Sequence, residues 1–211
     1  MRRNTLLTLA AALALTLLAF GPAQAQEASA DAPAAAVEVK DFSLGPADAK
    51  VEVIEYASFT CPHCAAFHAN VYSQLKTDYI DTGKIRFTYR EVYFDKYGLW
   101  AAMIARCGGE MRYFPIADMI FDQQRDWAAS DDATVVVENL KRIGRAAGLE
   151  DAAMDACLKD GATAEAMVAH YQENATADKL EGTPSFKING TMHTNMSYDE
   201  MKAILDAELA K

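Results

Sequence analysis

Two cysteines separated by two residues, Cys61-Pro62-His63-Cys64, sit where the periodicity of the chain changes, and this junction constrains the fold more than any other feature. Before it, Val51-Glu-Val-Ile-Glu-Tyr-Ala57 reads as a strand. After it, Cys64, Phe67, Val71, Leu75 and Tyr79 recur with the 3.6-residue period of a helix that has one apolar face. Thr60 is the expected N-cap, and Pro62 falls in the first turn, where a missing N–H is tolerated. Both cysteines therefore lie on the opening turn of a helix at the end of a strand. The unpaired amides and the positive dipole end there favour a thiolate. The spacing predicts a redox pair with Cys61 exposed and Cys64 turned inward. A zinc half-site shares the Cys-x-x-Cys signature but needs two further ligands. His63 and His68 are the only histidines close in sequence, and no second Cys-x-x-Cys exists. The expectation is redox chemistry without a metal, and with no cofactor beyond a Cys61–Cys64 disulfide.

The N-terminus reads as a secretory signal. Arg2 and Arg3 form a basic start, Leu6 to Phe20 is a short apolar run, and Ala23-Gln24-Ala25 suits a small-residue cleavage site. Cleavage after Ala25 predicts an exported, soluble product, placed in the bacterial periplasm. The formal charge is −10, and loss of the two arginines takes it to about −12. That acidity argues against nucleic acid as a partner. About 185 mature residues suit one domain, or one domain with a large insertion. Four cysteines in an oxidising compartment suggest disulfides, at a density well below that of a disulfide-stapled miniprotein.

Residues 26–36 are Ala-rich and aperiodic, a flexible lead-in. Val37 to Lys40 is expected as a short strand, Gly45-Pro46-Ala47-Asp48 as a turn, and Lys84 to Val92 as a further strand. Residues 96–180 then turn helical, with patches at Leu99–Cys107, Tyr113–Asp122, Ala133–Ala147, Glu150–Lys159 and Thr163–Lys179, and Asp131 or Asp132 as a cap. Strands return as a hairpin, Ser185–Ile188 and Thr191–Thr194 around Asn189-Gly190, followed by a helix from Ser197 to Ala210. This order predicts an α/β thioredoxin-like fold, residues 37–95 and 181–211, interrupted by an all-helical insertion domain, residues 96–180.

Glu55 shares a strand face with Val51 and Val53, six residues before Cys61. A carboxylate beneath the pair is placed to accept the Cys64 proton. The alternative is a strand-end carboxylate that reaches solvent. Cys107 and Cys157 both lie on helix-like segments and are expected to form a structural disulfide, the alternative being two buried thiols. His68 reads as a helix-face residue, and His170 and His193 show no partner. Met192 and Met196 read as core residues.

Phe59-Thr60-Cys61-Pro62-His63-Cys64, with Glu55 upstream and Gly182-Thr183-Pro184 downstream, resembles the DsbA-like thiol:disulfide oxidoreductases of the bacterial envelope. The resemblance spans nearly the whole mature chain. It implies a monomer that oxidises reduced, unfolded exported proteins and is reoxidised by a DsbB-like membrane quinone reductase. By position, it implies that Cys61 is the attacking cysteine, Cys64 its buried partner, Pro184 a cis-proline facing the pair, and Glu55 the family's buried acid. Pro62 fixes the turn and His63 adds stabilisation for the Cys61 thiolate. Some members carry a lysine near the acid on the following strand; here that strand offers Tyr89 and Arg90. Two other readings use the same motif. One is a disulfide reductase or isomerase on this fold; the other is a peptide-binding holdase or a thiol metal carrier. Loss of Cys61 separates them, because binding survives it and turnover does not.

Overall fold

Strand β2 (Val51–Ala57) lies at the centre of the sheet, and of its residues only Glu52 reaches solvent. The computed structural model describes residues 37–211. The expected signal segment, with its cleavage site after Ala25, and the lead-in 26–36 lie outside the described residues. The described residues form a five-stranded sheet in the order β1-β3-β2-β4-β5. Its other strands are β1 (Phe42–Leu44), β3 (Ile85–Glu91), β4 (Ser185–Ile188) and β5 (Thr191–Thr194). Only β2 and β3 pair in parallel, which requires a crossover connection, and the cysteine-bearing helix supplies it. In this register Glu55 lies opposite Tyr89 on one side and Phe186 on the other.

The first strand is not at Val37–Lys40 as expected, but at β1. The Lys40 carbonyl accepts a hydrogen bond from Arg106 at 2.9 Å instead of entering the ladder. Ser43 bonds Thr88 across the strands at 2.7 Å, and the Phe42 ring packs 4.7 Å from that of Tyr113. Gly45 follows with φ 86°, and a Cβ there would lie 2.2 Å from the Ile85 carbonyl oxygen, so only glycine fits this turn.

The crossover helix begins as α1 (Pro62–Phe67) and continues through a π turn (His68–Tyr72), α2 (Ser73–Leu75) and a second π turn (Lys76–Ile80). Cys64, Phe67, Val71, Leu75 and Tyr79 are all buried, as their period requires. His68, Tyr72 and Ile80 are buried as well, because the wider π turns enlarge the covered face.

Between β3 and β4 lie α3 (Lys96–Cys107), α4 (Glu110–Asp122), α5 (Gln124–Trp127), α6 (Ala133–Ala146), α7 (Asp151–Lys159) and α8 (Gly161–Ala177). Asp95, Asp132 and Asp160 accept from the first-turn amides of α3, α6 and α8. The α5 turn is too short to carry a period and was not expected from the sequence. A bond joins Cys107 on α3 to Cys157 on α7, with the Cα atoms 6.0 Å apart. Buried Glu91 on β3 receives Arg106 from α3 at 2.8 Å and the Tyr113 hydroxyl from α4 at 2.7 Å. This pairing gives the insertion a fixed register on the sheet, since a lone buried charge would be strongly unfavourable.

The opposite face of β2 carries Ile54 and Tyr56, covered by Val92, Tyr171, Leu180 and Met192. His170 has a partner that the sequence did not reveal: its Nε2 lies 2.8 Å from Asp41 Oδ1. The hairpin turns through Asn189 (φ 43°) and Gly190 (φ 86°), as a two-residue primed turn demands. Helix α9 (Tyr198–Ala210) closes the fold with a capping box between Ser197 and Glu200, and buries Met201 and Leu205.

Candidate active site

The cysteine pair stands at the C-terminal end of β2, where the chain turns into α1. The N-cap of this helix is Cys61 itself, not Thr60 as the sequence suggested. Thr60 is diverted: its hydroxyl donates to Asp95 at 2.7 Å and lies 3.1 Å from the Ser58 hydroxyl. This leaves the sulfur of Cys61 in the position from which a capping oxygen normally meets the first amides. The backbone amides of His63 and Cys64 both favour its thiolate.

The two thiols are held in unequal environments. Cys64 is wholly buried, and Cys61 is only 7% exposed, which corrects the expectation of an exposed nucleophile. The cis Thr183–Pro184 bond lies against the pair, and the Cys61 sulfur sits 3.6 Å from the Thr183 carbonyl oxygen. Cys61 is brought down from 9.0 to about 5, mainly by a hydrogen bond from the Cys64 thiol, with help from Thr183 and the helix amides and against the effect of burial. Burial pushes Cys64 far above the ordinary thiol range, aided by its hydrogen bond to Cys61 and by the charge of Glu55. At neutral pH the reduced pair is thus one thiolate and one thiol.

Glu55 does not reach solvent; it is 0% exposed. Its Oε2 is hydrogen-bonded to His68 Nε2 at 3.1 Å, and its Oε1 has no partner among the described residues. The sequence alone presents His68 as an ordinary helix-face residue. It is instead 8% exposed and stacked on Phe121, with ring centroids 3.9 Å apart. A signal was present in the sequence: His68 lies four residues after Cys64 and so shares its inward face. Tyr89, opposite Glu55, donates its hydroxyl to the Ala57 carbonyl at 3.0 Å and makes no bond to the acid.

Gln124 had no such signal. It is buried on α5, and its Nε2 donates to the carbonyls of Phe59 at 2.8 Å and Cys61 at 2.9 Å, tying the insertion to the active loop. Pro62 and His63 are exposed beside the pair. The structure thus brings Glu55, Cys61, Pro62, His63, Cys64, Thr183 and Pro184 to one place, while Cys107 and Cys157 form their own bond between α3 and α7.

A family model described as thioredoxin matches residues 38–207. A Rickettsia bellii protein, provisionally named a protein-disulfide oxidoreductase, is 37% identical over 171 residues, covering 81% of this chain and 65% of its own length. A Rickettsia felis protein of the same name is 37% identical over 174 residues, covering 82% of this chain and 62% of its own. The chain thus spans less than two thirds of the length of these curated relatives. Among solved structures, Wolbachia pipientis alpha-DsbA1 superposes with a TM-score of 0.76 at 27% identity, covering 82% of this chain and 93% of that one. BdbD from Bacillus subtilis, at 22% identity and a TM-score of 0.71, shares the fold over 81% of this chain and 94% of its own. A thioredoxin-like sheet interrupted by helices, a cysteine pair at the N-terminus of the crossover helix and these likenesses place the chain in the thioredoxin superfamily, among its DsbA-like members.

Proposed function

We propose that this chain is a thiol:disulfide oxidoreductase that donates the Cys61–Cys64 disulfide to dithiols of exported polypeptides in the bacterial periplasm. The observation that supports this most directly is the asymmetry of the pair: a Cys61 brought down to about 5 beside a Cys64 pushed far up. A substrate thiolate attacks the Cys61 sulfur, the Cys61–Cys64 bond breaks, and Cys64 leaves with the electron pair and takes up a proton. A second substrate thiolate then attacks the substrate's own sulfur in the mixed disulfide. Cys61 departs as a thiolate, and the substrate is left oxidised. The easily formed Cys61 thiolate stabilises the reduced protein and makes the disulfide a strong donor. Thr183 and Pro184 would meet the extended substrate by strand addition. Pro62 fixes the turn, and the His63 ring adds a favourable dipole or charge to the thiolate. Glu55 supplies the proton that Cys64 takes up and receives it back when the disulfide re-forms, and the Cys107–Cys157 bond holds the insertion together. A membrane quinone reductase of the DsbB type would restore the disulfide.

The test is the equilibrium of the Cys61–Cys64 pair with glutathione. An oxidant gives a potential above roughly −200 mV, whereas a value near about −270 mV makes the protein a reductase and overturns the assigned direction.

A further inference from the structure

The buried acid raises a question of proton traffic. Cys64 must gain a proton each time the disulfide opens and lose it each time the disulfide closes. Neither Cys64 nor Glu55 touches solvent. A proton placed on Glu55 therefore needs a way out.

The structure offers one. His68 Nε2 binds Glu55, and on the far side of the ring His68 Nδ1 lies 3.9 Å from Asp118 Oδ1 on α4. That nitrogen has no hydrogen-bond partner among the described residues. The Asp118 side chain is 38% exposed. It lines, with His68, Tyr72, Lys76 and Asp122, an open cleft of about 280 Å³ between the crossover helix and α4. The ring thus spans from a sealed carboxylate to a solvated one, and its stacking on Phe121 fixes its plane. The groups that face it are Glu55 from β2, Tyr89 from β3, Asp118 and Asp122 from α4, and Tyr72 and Lys76 from its own helix. Lys76 and Asp122 lie at the solvent side of the cleft, and the two tyrosines flank the ring.

We propose that His68 and Asp118 form the proton exit of the site, carrying the Cys64 proton from Glu55 to the cleft when the disulfide closes and returning one when it opens. When the disulfide closes, the Cys64 S–H bond breaks, Glu55 takes the proton, and the Cys64 sulfur attacks Cys61 in the mixed disulfide, breaking its bond to the partner sulfur, which leaves as a thiolate. Glu55 then passes the proton to His68 Nε2, and His68 releases one from Nδ1 to Asp118 and the solvent of the cleft. Imidazole suits this task because each ring nitrogen can hold the exchanging proton in turn. Asp118 is suited to be the outer station: burial raises it to about 6, against the opposing charge of His68.

This proposal rests on the redox reading of Cys61 and Cys64 but not on its direction, since Cys64 exchanges a proton either way. The test is single-turnover resolution of a Cys61–glutathione mixed disulfide, followed against pH in the full chain. His68→Ala and His68→Gln should both slow resolution at least about tenfold. Added imidazole, entering by the cleft, should restore the rate in His68→Ala and leave the native protein unaffected. Asp118→Asn, a substitution at a partly exposed site, should shift the midpoint of the pH profile. The thiolate titration of Cys61 should not move in any variant. Native rates in His68→Gln, or a slow His68→Ala that imidazole does not restore, would make His68 a structural residue and overturn the exit. If His68→Ala does not fold, His68→Gln and Asp118→Asn decide: an unchanged pH profile in both overturns the proposal. A reducing glutathione potential with these effects intact would reject the oxidant direction and leave the exit standing.

Discussion

The molecule holds two cysteine pairs, and they are built for opposite ends. Cys61 and Cys64 stand three residues apart at a helix start, with one thiol at about 5, the other far above the ordinary range, and a carboxylate beneath them. Cys107 and Cys157 are 50 residues apart and join two helices of the insertion, α3 at its C-terminal end and α7 near its own. The first pair gains little from loop closure and much from electrostatics, so its bond is easily exchanged. The second closes a long loop, and its thiols have no helix N-terminus to favour their thiolates. What distinguishes a reactive disulfide from a structural one here is the surroundings of the sulfurs, not the bond itself.

The sharpest test of that contrast is activity. Cys61→Ser should abolish oxidation of a reduced dithiol peptide, while Cys107→Ala/Cys157→Ala should turn over at close to the native rate. A double variant that loses turnover while folded would break the comparison. The converse holds for stability. Cys107→Ala/Cys157→Ala should lower the unfolding free energy by roughly 2–4 kcal/mol, read as a lower urea midpoint with a steeper slope, because the unfolded chain without the cross-link exposes more surface.

A smaller effect separates the pairs by pH. Cys61 titrates well below an ordinary thiol, so its stabilisation of the reduced, folded protein is complete above the ordinary thiol range and is lost as pH falls through about 5. The reduced form should therefore be more stable than the oxidised form at pH 7, and the gap should close toward pH 5. Urea midpoints of both forms across this range measure it, and a pH-independent gap would contradict the assigned thiolate. The smallest expected change concerns His63. Its backbone amide already favours the thiolate, and its ring is exposed. His63→Ser should raise the Cys61 titration and make the protein a weaker oxidant by a few tens of millivolts, at about 30 mV per 1.4 kcal/mol. If neither the thiolate absorbance nor the glutathione equilibrium moves, the ring is a bystander.

The strand-to-helix junction at Cys61, the buried face from Cys64 to Tyr79, the Asn189-Gly190 hairpin and the Ser197 cap were legible in the sequence because each is a local rule. Period, turn chemistry and capping depend on residues within a few positions of one another. The existence of a helical insertion was legible for the same reason. What local rules could not supply was the partner across space. Thr60 has every mark of an N-cap, and only the approach of Asp95, 35 positions later, draws its hydroxyl away. Gln124 resembles any surface glutamine until α5 carries it beneath the active loop. His68 shows its inward face by its spacing from Cys64, but the sequence does not say that Glu55 waits on one side and Asp118 on the other. Hydrogen bonds and charge interactions act over a few ångströms regardless of chain separation, so the tertiary fold alone decided which polar groups meet. The sequence by itself determined where a thiolate could form; the packing of the insertion against the sheet decided how deep it lies and which side chains surround it.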